Sequence, residues 1–212
     1  MTRDRLHRDD SGLHRCSWAS GDAEYTRYHD EEWGRPVADD QKLFEKLCLE
    51  GFQSGLSWLT ILRKRENFRT AFREFDIHAV ARFTSADIDR LMTNAGIVRH
   101  RGKIEATINN SQRAIELIEE VGSLSTYLWS YAVDASFGHN SERRHTDAIV
   151  ATSEESEALS KDLKKRGWKF VGPTTVYSFM QSMGFVNDHF EGCCVRDECE
   201  QLRVDTLKSL RV

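Results

Sequence analysis

Two thiols and two imidazoles at opposite ends of the chain, Cys16 with His29 and His189 with Cys193, make up the ligand complement of one tetrahedral zinc ion. The second pair stands four residues apart in HFEGC, which puts both on one face if that segment is helical. Cys16 and His29 meet only if a loop folds back. Four protein ligands leave no position for water, so the expected role is structural, joining the N- and C-terminal segments. The same residues fit a plainer reading, with Cys16 a small buried hydrophobe and His189 a hydrogen-bonded core histidine. Cys194 competes with Cys193 as a ligand.

Glu50 is the next residue whose placement implies chemistry. It continues the apolar stripe of Leu43 and Leu47, and a buried acid needs a partner. One candidate partner is an arginine of LRKRENFR, which would make Glu50 structural; a second reading makes it a cap on the following helix. The third is a polar or cationic ligand. Trp58 lies eight residues on, and Tyr25, Tyr28 and Trp33 cluster beside His29 in EYTRYHDEEWG. Aromatic walls with a carboxylate suit a flat, positively charged ring, although aromatics at such positions are more often core.

Positive charge concentrates in NAGIVRHRGKI, residues 94 to 104. Gly96 and Gly102 permit close backbone approach, and Arg99, His100, Arg101 and Lys103 supply cations. A tight turn between two helices that offers backbone amides and a helix N-terminus resembles a helix-hairpin-helix element, which binds phosphate. The plainer reading is a solvated turn. With a formal net charge of −4, the chain as a whole does not attract nucleic acid, so a DNA contact needs such a local patch.

The elements that carry these residues read as all-α. Only 2 prolines occur in 212 residues, and apolar residues recur at three and four. A helix is expected after Asp39 or Asp40 through to Gly51, then a single helix over SGLSWLTILRKRENFRTAF carrying Leu56, Leu59, Leu62 and Phe68 inward. Shorter and longer helices follow from Ser85 to about Asn94 and from Gly102 to Gly122, with two more over SEALSKDLKKRG and TTVYSFMQSMG. Residues 1–14 read as a flexible tail, and 197–212 as a polar, charge-mixed tail, helical or loose. With 5 cysteines, no export signal and no membrane-length apolar run, the expectation is a cytoplasmic protein with reduced thiols.

Taken together, CSW, YHDEEWG, LCLEGFQSGLSW, NAGIVRHRGKI, FVGPTTVYSFMQSMG and VNDHFEGC closely resemble the DNA-3-methyladenine glycosylase I family, in order and over about residues 15 to 195. The resemblance implies a helix-hairpin-helix DNA glycosylase fold over residues 15–196, with the hairpin element at about 85–120 and one structural zinc per chain. It matches Cys16, His29, His189 and Cys193 to the zinc ligands and Glu50 to the acid that recognises the base. Tyr28 and Trp58 match base-pocket residues, Tyr25 is a further pocket member, and Glu50, Tyr28 and Trp58 are the residues expected at the reaction. Gly96, Arg99, Arg101, Gly102 and Lys103 fall to DNA binding. Phe52 stands where some relatives carry glutamine, which puts one polar contact near the pocket in question.

The implied activity is that of a monomeric, monofunctional glycosylase in base excision repair. It flips 3-methyladenine out of double-stranded alkylated DNA, hydrolyses the N-glycosidic bond, releases the free base and leaves an abasic site. Two other classes compete. A zinc-dependent hydrolase would need an open coordination position and an HExxH-type helix, and the sequence offers neither. A non-catalytic, zinc-stabilised helix-hairpin-helix DNA-binding module would not need an acid on an apolar stripe with aromatics nearby.

Overall fold

The computed structural model describes residues 5–132 and 150–210, so 1–4 and 211–212 of the two expected tails lie outside the described residues. The chain divides into two compact units. One draws on Met1–Val37, Ala132–Val150 and Met180–Val212, the other on Ala38–Tyr131 and Ala151–Phe179.

In the first unit, β1 (Leu6–Arg8) pairs antiparallel with β2 (His14–Cys16), with Leu6 opposite Cys16. This hairpin was not expected from the sequence, which shows no long alternating run, and it places residues 6–8 in a strand where a loose tail was expected. Gly12, at φ +89, makes the reversal possible. A short 3₁₀ turn, Ser17–Ala19, leads to α1 (Ala23–Glu31), which is capped by Asp22 accepting from Tyr25 N at 2.9 Å.

The second unit is built on two helices. α2 (Asp40–Gln53) starts at the expected cap, with Asp39 accepting from Lys42 N at 2.9 Å, and every residue from Leu43 to Phe52 is buried. The expected single helix after Gly51 is in fact two, α3 (Trp58–Leu62) and α4 (Arg65–Ala71). Ser57 caps the first, so Leu56 precedes it and is exposed, and Lys64, at φ −100 and ψ −2, separates the two. Leu62 and Phe68 point inward as expected. After Ala71 the chain turns through a 3₁₀ segment, Arg73–Phe75, into α5 (Ile77–Ala81).

α6 (Ser85–Thr93) and α7 (Arg101–Val121) sit where the sequence placed them, joined by residues 94–100. α7, about 31 Å long at ~1.5 Å per residue, is the spine of this unit and packs against α2, α5, α6 and α8 (Leu124–Trp129). Asp40 accepts from the first amides of α8, Leu124 N at 3.0 Å and Ser125 N at 2.7 Å. Then come α9 (Glu154–Lys165), α10 (Pro173–Ser182) and α11 (Arg196–Leu210). α11 takes up most of the expected C-terminal tail, in the helical of its two expected forms, and buries Cys199, Arg203 and Leu207. Among the described residues, no helix is long and apolar enough to cross a membrane.

Candidate functional site

Cys16, His29, His189 and Cys193, all in the first unit, are buried, with one donor atom from each lying within 4.8 Å of every other. Cys16 Sγ is 3.7 Å from His189 Nδ1, while Cys193 Sγ is 3.4 Å from His29 Nε2 and 3.6 Å from His189 Nδ1. The set can hold a metal ion. Cys194, the rival ligand, is exposed and outside the cluster.

His189 and Cys193 do not share a helix, a correction to the spacing reading. They lie in an irregular segment in which Cys193 N donates to Phe190 O at 3.0 Å and Gly192 takes φ +84, a left-handed turn that brings both side chains to one point.

Each imidazole is oriented through its other nitrogen. His29 Nδ1 meets Asp30 Oδ1 at 2.7 Å, and Arg15 Nε donates to Asp30 Oδ2 at 2.8 Å. His189 Nε2 meets Trp33 O at 3.1 Å. Such outer partners fix the tautomer that presents a lone pair to a metal. A Cβ at Gly34 would stand 2.8 Å from His189 Nε2, so only glycine fits there. The Cys16 thiol donates to Cys193, which raises Cys16, with burial adding to the effect; that bond, and then the two histidines, hold the Cys193 thiolate low. Asp30 and Gly34 were not identified in the sequence, where their only signal is proximity to His29.

Trp33 packs edge-on against His189, with ring centroids 4.6 Å apart, so it belongs to the shell of this cluster. Tyr28 is buried on α1 next to His29, and Tyr25 stacks with it at 6.4 Å and 25°.

In the second unit, Glu50 is 5% exposed on α2 and Trp58 opens α3. The partner of Glu50 is not an arginine of LRKRENFR. Arg69 from that run pairs with Glu45 at 2.9 Å, whereas Glu50 Oε1 accepts from Lys46 Nζ at 2.9 Å. Lys46 Nζ also lies 3.2 Å from the centroid of the Trp58 ring. Carboxylate, cation and indole face thus form one buried arrangement. Burial raises the pKa of Glu50 above the ordinary 4.5, opposed by the charge and hydrogen bond of Lys46. Lys46 escaped the sequence reading, although it stands four residues before Glu50 on the same helix.

Phe52 turns away from this group into the core, its ring 4.6 Å from Phe68 and 5.8 Å from Phe72. A small cavity beside α2, lined by Leu47, Gly51, Phe52, Lys103 and Phe170, includes neither Glu50 nor Trp58.

The cations of the 94–104 segment differ in exposure. Arg99 is exposed, and Arg101 is half-exposed and paired with Asp89 at 2.7 Å. Gly96 lets Asn67 approach, since a Cβ there would meet Asn67 Cγ at 3.0 Å; Gly102 lies in the first turn of α7 beside His100. Lys103 is the correction. Only 6% exposed, it donates through Nζ to Phe52 O at 2.9 Å and Ser54 O at 2.6 Å, closing the last carbonyls of α2. Burial lowers the pKa of its ammonium. It stands apart from the exposed cations because a buried carbonyl end needs a donor more than the surface needs another charge.

Residues 18–197 match the family model described as methyladenine glycosylase. The chain is 47% identical over 187 residues to DNA-3-methyladenine glycosylase 1 of Escherichia coli (strain K12), covering 86% of this chain and 96% of that protein. It is 45% identical over 179 residues to the DNA-3-methyladenine glycosylase of Haemophilus influenzae, covering 84% and 96%. Among solved structures, the 3-methyladenine DNA glycosylase I of Staphylococcus aureus, determined for the structural basis of its 3-methyladenine recognition, superposes with a TM-score of 0.77 at 40% identity, covering 86% of this chain and 96% of the other.

Proposed function

The chain belongs to the methyladenine glycosylase family, and from that membership we infer that it excises 3-methyladenine from alkylated DNA by hydrolysing the N-glycosidic bond. The observation that carries this reading into the site is the buried carboxylate of Glu50 beside the face of Trp58, with a cation between them. A pair of groups that holds an ammonium suits the other cation at issue, an adenine ring made positive by methylation at N3. Glu50 accepts a hydrogen bond from the exocyclic amine and balances the charge, while Trp58 stacks on the ring. Tyr28 and Tyr25 are assigned to base binding by their motif positions.

Methylation has already made the base a good leaving group, so the protein's main work is to extract and hold the nucleotide, at a cost of a few kcal/mol. As the C1′–N9 bond breaks, its electron pair passes to N9 and the sugar becomes oxocarbenium-like. Water adds at C1′ and loses a proton, leaving an abasic site.

The metal in this reading is zinc. With bonds of about 2.0–2.3 Å, the donors of a zinc tetrahedron stand roughly 3.3–3.8 Å apart, which spans three of the thiol-to-ring distances here, 3.4, 3.6 and 3.7 Å. Two cysteines and two histidines would saturate the ion, which would then supply folding free energy and no catalysis. Residues 94–100 and the start of α7 act as the helix-hairpin-helix phosphate contact through backbone amides, Arg99 and Arg101.

The test is incubation with methylated duplex DNA followed by chromatography of the released bases. 3-Methyladenine should appear in proportion to enzyme and time; tight DNA binding without base release would leave only a binding module.

A further inference from the structure

The cage on α2 and α3 already contains a cation. Lys46 Nζ stands 3.2 Å from the Trp58 ring centroid and 2.9 Å from Glu50 Oε1, and all three side chains are buried. Stacked bases in DNA are about 3.4 Å apart, so a base on this face of Trp58 and the Lys46 ammonium claim the same layer and the same carboxylate. Building on the reading that Glu50 and Trp58 bind the damaged base, we propose that Lys46 is a positioning residue that fills the empty cage, exchanges with the incoming cationic base and returns to displace the product.

The exchange keeps charges paired. In the empty cage the Lys46 ammonium, 2.9 Å from Glu50 Oε1, is the partner of the buried acid, so neither group is left unpaired. Entry of the N3-methylated ring replaces one cation by another, and the flexible four-carbon stem lets the ammonium move out to water. Cleavage then removes the reason for the base to stay. The electron pair of the broken C1′–N9 bond cancels the positive charge of the ring, while the water oxygen bonds to C1′ and gives its proton to solvent. A neutral product cannot serve as counter-ion to Glu50. The returning ammonium regains the ion pair and the cation–π contact together, and product affinity is lowered by that amount.

The experiment compares Lys46→Met and Lys46→Gln with Glu50→Gln and Trp58→Ala. Affinity for free 3-methyladenine and for adenine is measured by calorimetry, and steady-state and single-turnover base release on methylated duplex DNA. Lys46→Gln keeps a donor to Glu50, so the test does not depend on whether Lys46→Met folds. Both Lys46 variants should bind the two free bases about tenfold more tightly, and by the same factor, because the displaced ammonium stabilises the empty state and neither complex. Steady-state turnover should fall relative to single turnover as product release becomes limiting. Unchanged or weaker base affinity in the Lys46 variants, with Glu50→Gln and Trp58→Ala still weakening it, overturns the Lys46 assignment alone. A gain for 3-methyladenine without one for adenine would put the ammonium beside the bound base and overturns the exchange. If Glu50→Gln and Trp58→Ala leave affinity untouched, the base-site reading fails and the Lys46 assignment falls with it.

Discussion

Glu50 is paired with Lys46, and the base-site reading gives it a recognition role as well. Glu50→Gln keeps the volume and an acceptor for Lys46, so the fold should persist with a modest loss of melting temperature. Affinity for free 3-methyladenine should drop about tenfold, the ~1.4 kcal/mol of one weakened charge-assisted bond. Circular dichroism melting and calorimetry on the same preparation check this; a large melting shift with normal affinity per folded molecule would leave Glu50 purely structural. The raised pKa of Glu50 adds a pH signature. A buried acid with a raised pKa accepts its proton at a higher pH than an exposed one, so on acidification base affinity should begin to fall above the ordinary 4.5. The fall should exceed any in Glu50→Gln, which has no carboxyl to titrate. The same shift means that the folded state takes up protons before the unfolded chain does. The contribution of Glu50 to stability is therefore largest at low pH and declines as pH rises from 4.5 through the raised value.

At the scale of elements, the Cys/His cluster joins a hairpin strand, a helix and an irregular C-terminal segment. Structural zinc supplies on the order of 10 kcal/mol to small domains, and somewhat less should suffice beside a large core. Cys16→Ala or His189→Ala should therefore lower the melting temperature and lose the ion, whereas Cys194→Ala keeps it. Elemental analysis of the purified protein should give about one zinc per chain. The α6–α7 connection makes a separate prediction. If Arg99 and Arg101 touch phosphates, neutralising either reduces the slope of log affinity against log salt by about one unit, with single-turnover base release at saturating DNA changing much less. Lys103→Met should do the opposite. It removes the donor that closes α2, so stability falls while the salt slope stays the same. Measuring both slopes shows whether the charge at this turn is functional or merely solvated.

For the whole molecule, the expected product is an intact strand carrying an abasic site. A strand nick would require an amine nucleophile at the sugar, and the two buried lysines are both engaged as donors, Lys103 to carbonyls and Lys46 to Glu50. Methylated duplex should stay full-length on a denaturing gel until alkali is added. Much of this protein is readable from local rules. Asp39 starts α2, Gly122 ends α7, and the apolar stripe that buries Glu50 repeats within a few residues, so caps and periodicity reveal them. The Cys/His cluster was readable for another reason, since two cysteines and two histidines form a chemically complete ligand group wherever they stand in the chain. What needed the tertiary structure was the choice of partners. Cys193 over Cys194, the non-helical HFEGC turn, Lys103 closing a helix 51 residues away, and Lys46 meeting the face of Trp58 all depend on distances through space. A buried charge takes the nearest suitable group in three dimensions, and spacing along the chain sets that distance only within a single helix.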